Sequence, residues 1–572
     1  MAQQTIRQLF NADKTFSIPH YQRDYAWQVS NFEDLWEDLI EAHDNKSGNQ
    51  GHFLGTIVTA PNPDDSRIID IIDGQQRSTT LFLLRYALYI KAGILDDYKI
   101  LFLKNNEPTL RVAPNNQDFF RKIIDKIGNK SIKTLGGEAQ TQGQRNLFAV
   151  AEAITTQLDE SIKGQKEAKE YLNTLNKMTM LELKETDSGK AIRLFQAVND
   201  RGVKLSILDK LKSLLILHSN QYCGGALDQE INERFGELFK TIEKISNSDA
   251  ASSLADKKFK EEAEKRLFYY HALRYPFIHY YEGADEAYLM IKRHIKEILE
   301  KEKHTLQEWL DDYSKDLLQF TQTFLNLIEK AKTDVELFKL IFVLKIKPLF
   351  YPALVRLEMN KVLDEECLRL IGQAEIVFYT LGSKNDSKAY KLSKSTQTKA
   401  DFKEQIKADI PNCAMGGYKT LRGALKGYVK DSFGWDAFHY LFFTYHHDDI
   451  DMEFLVDYLK QQGKTFDINK EHIVPQNAIE NNSLGQYGLS EVDFENLVNS
   501  FGNLLSLEKS LNSKAGDKDL ITKQKVYKDS GLPHARKLAY QKDFLSFGKA
   551  QIIERNEKIL QWLTEDFFKD FI

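Results

Sequence analysis

Asp467-Ile-Asn-Lys-Glu471-His472-Ile-Val-Pro475-Gln476 opens a constellation that continues with Phe501-Gly502-Asn503-Leu-Leu-Ser-Leu and Glu508-Lys-Ser-Leu-Asn512-Ser-Lys514. An acidic residue stands directly before a histidine, a proline follows three residues later, and two asparagines follow nine apart. These are the residue types that hydrolysis of a phosphodiester calls for. A neutral imidazole takes a proton from water near pH 7. A hard divalent cation, Mg²⁺ or Mn²⁺, neutralises the phosphate oxygens and takes oxygen ligands rather than thiolates. His472 is thus the candidate base, Glu471 and Asn512 the candidate metal ligands, and Asn503 the residue expected to brace a hairpin and orient His472. Taken alone, His472 reads as an ordinary structural histidine and the asparagines as turn caps; the four-part pattern reverses that reading.

Charge around this segment agrees with a polyanionic substrate. Residues 502–550 hold ten Lys or Arg against five Asp or Glu, in a chain of 572 residues whose net charge is −5. Lys514, Lys518, Lys523 and Lys525 are the expected DNA contacts. A local basic face is enough to bind a phosphate backbone, so the acidic total excludes only a wholly basic coat. Hydrophobic residues make up 42%, which supports packed cores. Cys223, Cys367 and Cys413 form no CxxC pair, which points to a reducing compartment and away from a zinc ribbon. With no signal peptide and no apolar run long enough to span a bilayer, a cytoplasmic protein without a membrane partner is expected.

At the other end, Phe53–Ala60 and Ile68–Ile72 read as strands, separated by the turn cluster 61–65. The helix after them is expected to be capped at Ser78 or Thr79, which leaves Asp73-Gly74-Gln75-Gln76-Arg77 on a strand-to-helix loop. A glycine there lets the backbone approach a ligand, and the helix N-terminus aims unpaired N–H groups at it. Two Gln and an Arg add donors, which makes a phosphate-binding arrangement without a Walker A motif. The segment Ile18-Pro-His-Tyr21-Gln-Arg23-Asp-Tyr25-Ala-Trp27 supplies Arg23, able to converge with Arg77 on one anion, and Tyr21, Tyr25 and Trp27 as faces for stacking on a base. Plain core aromatics are the competing reading for Tyr21, Tyr25 and Trp27, and for Trp27 that reading is at least as good. A third motif runs from Arg193 through Phe195, Gln196, Asn199, Arg201 and Gly202 to Leu205-Ser206 and Lys210; an interdomain ion-pair set is the competing reading. From about residue 145 nearly everything reads as helix, over 165–177, 191–217, 228–245, 255–273, 285–300, 306–332 and 335–358.

The C-terminal pattern resembles the HNH nucleases of the ββα-metal fold. With the EHI-x-P-Q start, the GNL centre, the Asn-Ser-Lys end and the tail Lys523, Lys525 and Tyr527, it resembles the nuclease half of the GmrSD-type restriction enzymes. Glu471 departs from the aspartate that many HNH enzymes carry there. The DGQQR letters at 73–77, the YQR-x-Y-x-W segment and the RG-x-x-LS segment resemble that family's other half, a ParB/sulfiredoxin-like domain. The resemblance implies an α+β, mostly α chain: a ParB-like domain over 1–224, a helical middle over 225–440 and an HNH domain over 441–572. It implies that Asp73, Gly74, Gln75, Gln76 and Arg77, with Tyr21 and Arg23, bind a nucleotide triphosphate, GTP or ATP. It also implies cleavage of modified phage DNA. A double-strand break would need a homodimer or two encounters. A nucleotide-dependent DNA-binding protein with a degenerate nuclease fold, and an NTPase whose nuclease is regulatory, stay open as rivals.

Overall fold

The computed structural model describes residues 2–19, 22, 24–44, 52–63, 65–185, 206–248, 251, 254, 258–281, 283–382, 384–395, 398–413, 415–432, 434, 437–461 and 468–572. The chain is α+β and mostly α, in two compact units. One comprises residues 1–243 with 291–318, the other 244–290 with 319–572.

The first unit is built on a mixed six-stranded sheet. Its strands are β1 (Ala2–Thr5), β2 (Thr15–Ser17), β3 (Phe53–Pro61), β4 (Ile68–Asp73), β5 (Leu110–Arg111) and β6 (Thr179–Lys184), in the spatial order β1-β6-β3-β4-β2-β5. Strands β3 and β4 stand where the β-branched runs put them and pair antiparallel. Strand β6 falls between the stretches read as helix at 165–177 and 191–217. Its letters, TMLELK, favour helix intrinsically, yet its burial alternates along the strand. It fills the slot between β1, antiparallel to it, and β3, parallel to it; pairing on both edges overrides local propensity. Helices α1 (Val29–Asp44), α2 (Gln75–Lys91), α3 (Pro114–Lys126), α4 (Gln142–Ser161) and α5 (Gln165–Lys177) complete the core, with α2 packed against α4 and α5. Helix α2 is buried nearly all round, as expected of a central helix. A further helix, α6 (Ile207–Cys223), starts from a capping box between Ser206 and Asp209.

The expected helices at 228–245, 285–300 and 306–332 are present as Asp228–Asn247, Gly283–Lys301 and Leu306–Lys330. The stretch 335–358 is not one helix. Lys345 takes a left-handed φ of 56° and Pro348 follows, so the chain turns before resuming at Tyr351–Met359. The second unit also contains α7 (Phe438–Tyr445), a hairpin of β7 (Ile468–His472) and β8 (Leu504–Glu508), and then α8 (Lys509–Ala515), α9 (Leu520–Lys528), α10 (Pro533–Ala539) and α11 (Lys549–Trp562). Among the described residues no helix is long and apolar enough to cross a membrane.

Candidate active site

The antiparallel hairpin sets Leu504 opposite His472 and Leu505 opposite Glu471. Asn503 is fully buried just before β8. Its Oδ1 accepts from the Val474 amide at 2.8 Å, and its Nδ2 donates to the carbonyls of Val474 and Val498 at 3.1 and 2.9 Å. Asn503 therefore fastens the turn that follows the histidine, as the sequence suggests, but it does not orient the imidazole. Asn499 does that: His472 Nε2 lies 3.1 Å from Asn499 Oδ1. Asn503 fails in that role because backbone groups occupy both ends of its amide. The signal for Asn499 was present in the spacing Asn499-Ser-Phe-Gly-Asn503, where the earlier asparagine reaches the ring. Burial holds the His472 imidazole below its ordinary pKa, against the Asn499 contact that raises it, and nearby Lys523 lowers it further. The ring is neutral near pH 7, the form a base requires.

Glu471 is also buried. Its Oε1 accepts from Lys523 Nζ at 2.7 Å and from the Tyr527 hydroxyl at 2.8 Å. Lys523 Nζ donates as well to the His472 carbonyl. Burial pushes the Glu471 carboxyl up and the Lys523 ammonium down, while each partner's charge opposes the shift. The two direct bonds to one oxygen favour the ion pair. The assignment of Lys523 to DNA is therefore corrected: its side chain is 0% exposed and cannot reach a phosphate. Lys514, Lys518 and Lys525 are exposed, so three of the four expected contacts remain at the surface.

Helix α8 carries Asn512 and packs on β7. The Asn512 Oδ1 atom is buried with no hydrogen-bond partner. An oxygen acceptor left in this state is what a hard cation's ligand looks like without its ion. Among the described residues no three His, Cys, Asp or Glu side chains gather as a metal site, so a cation here would rely on the Asn512 amide. Glu471 would offer it an oxygen only in competition with Lys523. Asp517, on the turn after α8, was not singled out in the sequence, yet it acts electrostatically on Glu471, His472 and Lys523 together.

In the first unit, helix α2 begins at Gln75, not at Ser78 or Thr79. Gly74, at φ 87°, turns the chain directly from β4 into the helix and no side chain caps it. Gln75, Gln76 and Arg77 thus occupy the first helical turn, where backbone N–H groups lack intrahelical acceptors. Gln76 Oε1 accepts from the amides of Ala26 and Trp27 at 2.7 and 3.2 Å, and its Nε2 donates to the Asp24 carbonyl at 3.2 Å. That side chain pins the segment 24–27, so its role as a direct ligand contact is corrected to a positioning one. Arg77 lies against β3, where a Cβ at Gly55 would come within 2.8 Å of its Nη1. Burial lowers its pKa, with Asp73 and Asp38 opposing. Tyr25 is core, its hydroxyl 2.6 Å from Thr80 Oγ1, and Trp27 packs half-buried against the same core. Tyr21 and Arg23 lie outside the described residues, as do Arg193, Phe195, Gln196, Asn199, Arg201, Gly202 and Leu205 of the third motif.

Buried polar groups that the sequence reading missed surround this turn. Gln22 Oε1, Ser78 Oγ and Asn116 Oδ1 have no partner. Asp24, raised by burial, takes a hydrogen bond from Asn116 Nδ2 at 3.3 Å and feels the charge of buried Lys212. The cavity lined by Gln75, Gln76 and Asn116 is only about 10 Å³, room for one water.

Residues 6–216 match the family of the GmrSD restriction endonuclease N-terminal domain, and residues 434–562 match that of the GmrSD restriction endonuclease C-terminal domain. Together the two matches span more than half of the chain. No curated protein matches it.

Proposed function

We propose, from the premise that this chain belongs to the GmrSD type IV restriction endonuclease family, that it hydrolyses DNA at the HNH-like hairpin with His472 as general base. The observation that carries this is the buried His472 at the end of β7, its Nε2 3.1 Å from Asn499 Oδ1. His472 accepts the proton of a water whose oxygen bonds to phosphorus as the leaving oxygen departs. A bound Mg²⁺ or Mn²⁺ would supply charge neutralisation at the phosphate oxygens. Asn512 Oδ1 would hold it, with the Glu471 oxygen not engaged by Lys523. Lys514, Lys518 and Lys525 contact the DNA backbone. In the first unit, a ParB-like domain in this reading, the turn at Gly74–Arg77 binds the phosphates of GTP or ATP and gates cleavage of modified DNA.

The test is plasmid cleavage in Mg²⁺ by wild type and His472→Ala, on unmodified and phage-modified DNA, with and without GTP or ATP. Loss of a general base is expected to slow cleavage about 10²–10⁴-fold. Full activity in the variant overturns the assignment. The Lys523–Glu471 pair favours a second reading, a DNA-binding protein whose nuclease fold no longer takes a metal, because an ammonium already neutralises the carboxylate. Under that reading, metal titration yields shifted DNA mobility and no new ends.

A further inference from the structure

A cavity of about 550 Å³ lies in the second unit, on the side of the hairpin where Leu505 of β8 forms part of the wall. Leu505 is the register partner of Glu471, so the cavity is one strand away from the candidate site without sharing its residues. Of its aromatic residues, Phe442, Phe501 and Phe547 are buried beneath the wall and Tyr445 is partly exposed. Two histidines, His446 and His534, line it as well, and burial drives them down to about 3 and about 4. They contribute neutral rings near pH 7.

Charge decides what would fill this space. Two of its lysines are already neutralised: Lys537 pairs with Asp449, and Lys558 with Glu554. Arg555 is not. Its Nη2 donates to the Leu504 carbonyl at 3.0 Å, and its guanidinium stands over the Phe547 ring at 5.8 Å. Among the described residues no carboxylate pairs with it. Burial brings its pKa down to about 10, which still leaves it charged. Arg555 is partly exposed in the cavity wall, and a guanidinium fork matches a phosphate. Lys542, exposed at the rim, adds a second cation without an ion pair among the described residues, with only exposed Asp543 beside it to oppose it.

We propose that this cavity binds a nucleotide, its base against Tyr445 and its phosphate on Arg555 and Lys542. Aromatic faces accept any base by stacking, and the charge-assisted bonds to phosphate fix the orientation. The nucleotide has two possible sources, a free nucleoside monophosphate or one unit of a DNA strand swung out of its stack. The proposal does not depend on His472 being a base.

Photolabelling of the full-length chain tests it, with His472→Ala used so that DNA stays intact. One probe is azidoadenosine monophosphate; the other is an iodouracil-substituted single-stranded oligonucleotide. Labelled residues are mapped by peptide mass spectrometry. Label within 441–447 or 541–558 is expected. Lys542→Glu, at an exposed position that leaves the fold intact, is expected to weaken that label about fivefold, the order of one charge-assisted contact, without changing label in the first unit. Capture of the mononucleotide identifies a free nucleotide as ligand; capture of the oligonucleotide alone identifies a DNA base. Label confined to other segments, or label at the cavity that ignores Lys542→Glu, overturns the proposal. Failure of the nuclease reading would appear separately, as cleavage that survives His472→Ala.

Discussion

At the scale of single residues, Lys523 shows how one buried charge organises a site. Its ammonium holds the Glu471 carboxylate and the carbonyl of the neighbouring histidine, and Tyr527 completes the carboxylate's shell. Removing one partner of such a pair strands the other in a medium that penalises it. Lys523→Met is expected to cost about 3–5 kcal/mol in urea denaturation, and Lys523→Met combined with Glu471→Gln much less than the sum of the two single changes. Additive costs would mean that the pair contributes nothing as a pair. Tyr527→Phe removes one donor to a buried acceptor and is expected to cost about 1–2 kcal/mol by the same measurement. None of this pairing could be read from the chain, because Lys523 lies 52 residues from Glu471 and a lysine in a basic stretch reads by default as a surface charge.

Among the elements, the loop that leads into β8 depends on a close approach. Gly502 donates its amide to Asn556 Oδ1 at 2.7 Å, and a Cβ at that position would stand 2.2 Å from the backbone carbonyl of Ile552 in α11. Backbone cannot swing aside as a side chain can. Gly502→Ala is therefore expected to lower stability by about 2–3 kcal/mol and to reduce cleavage with it, both measured across one set of thermal melts and plasmid assays. An unchanged melting temperature would mean that α11 shifts freely. The GNL letters marked this glycine as part of a pattern, but its reason, a helix some 50 residues on, belongs to packing. The turn at Gly74 is the opposite case: strand, glycine and helix are contiguous and legible, and only the start of the helix moved, to Gln75.

For the molecule as a whole, the C-terminal segment does not stand by itself. The amide of Ser432 donates to the carbonyl of Asn499 at 2.9 Å, the residue that aligns His472. The helix Leu421–Lys430 packs on α11, and Gln373 Nε2 donates to the carbonyl of Phe567. A fragment of residues 434–572 is expected to lose cooperative unfolding by circular dichroism; a melt as sharp as the full chain's would show that these contacts are dispensable. Acid should strike the same unit. His439 and His446 are held at about 3 and His534 at about 4 by burial. The unfolded chain takes up protons at these positions near pH 6.5, while the folded chain does not. Stability is therefore full above about pH 6.5 and falls as pH drops toward 4. Each well-buried ring contributes up to about 1.4 kcal/mol per pH unit, His446 less because its side chain is 29% exposed. Hydrogen exchange between pH 7 and 4 should show protection lost around these histidines; protection that is flat with pH would contradict it. The sequence by itself determined the family, the strand pair before DGQQR, most of the long helices and the identity of the histidine-centred pattern, because those rest on periodicity, turn chemistry and residues close along the chain. Only the tertiary structure decided that Thr179–Lys184 is a strand, that Asn499 rather than Asn503 holds His472, that Lys523 is buried, and that Gln76 pins a loop, because each depends on which distant backbone or charge is brought within hydrogen-bond reach.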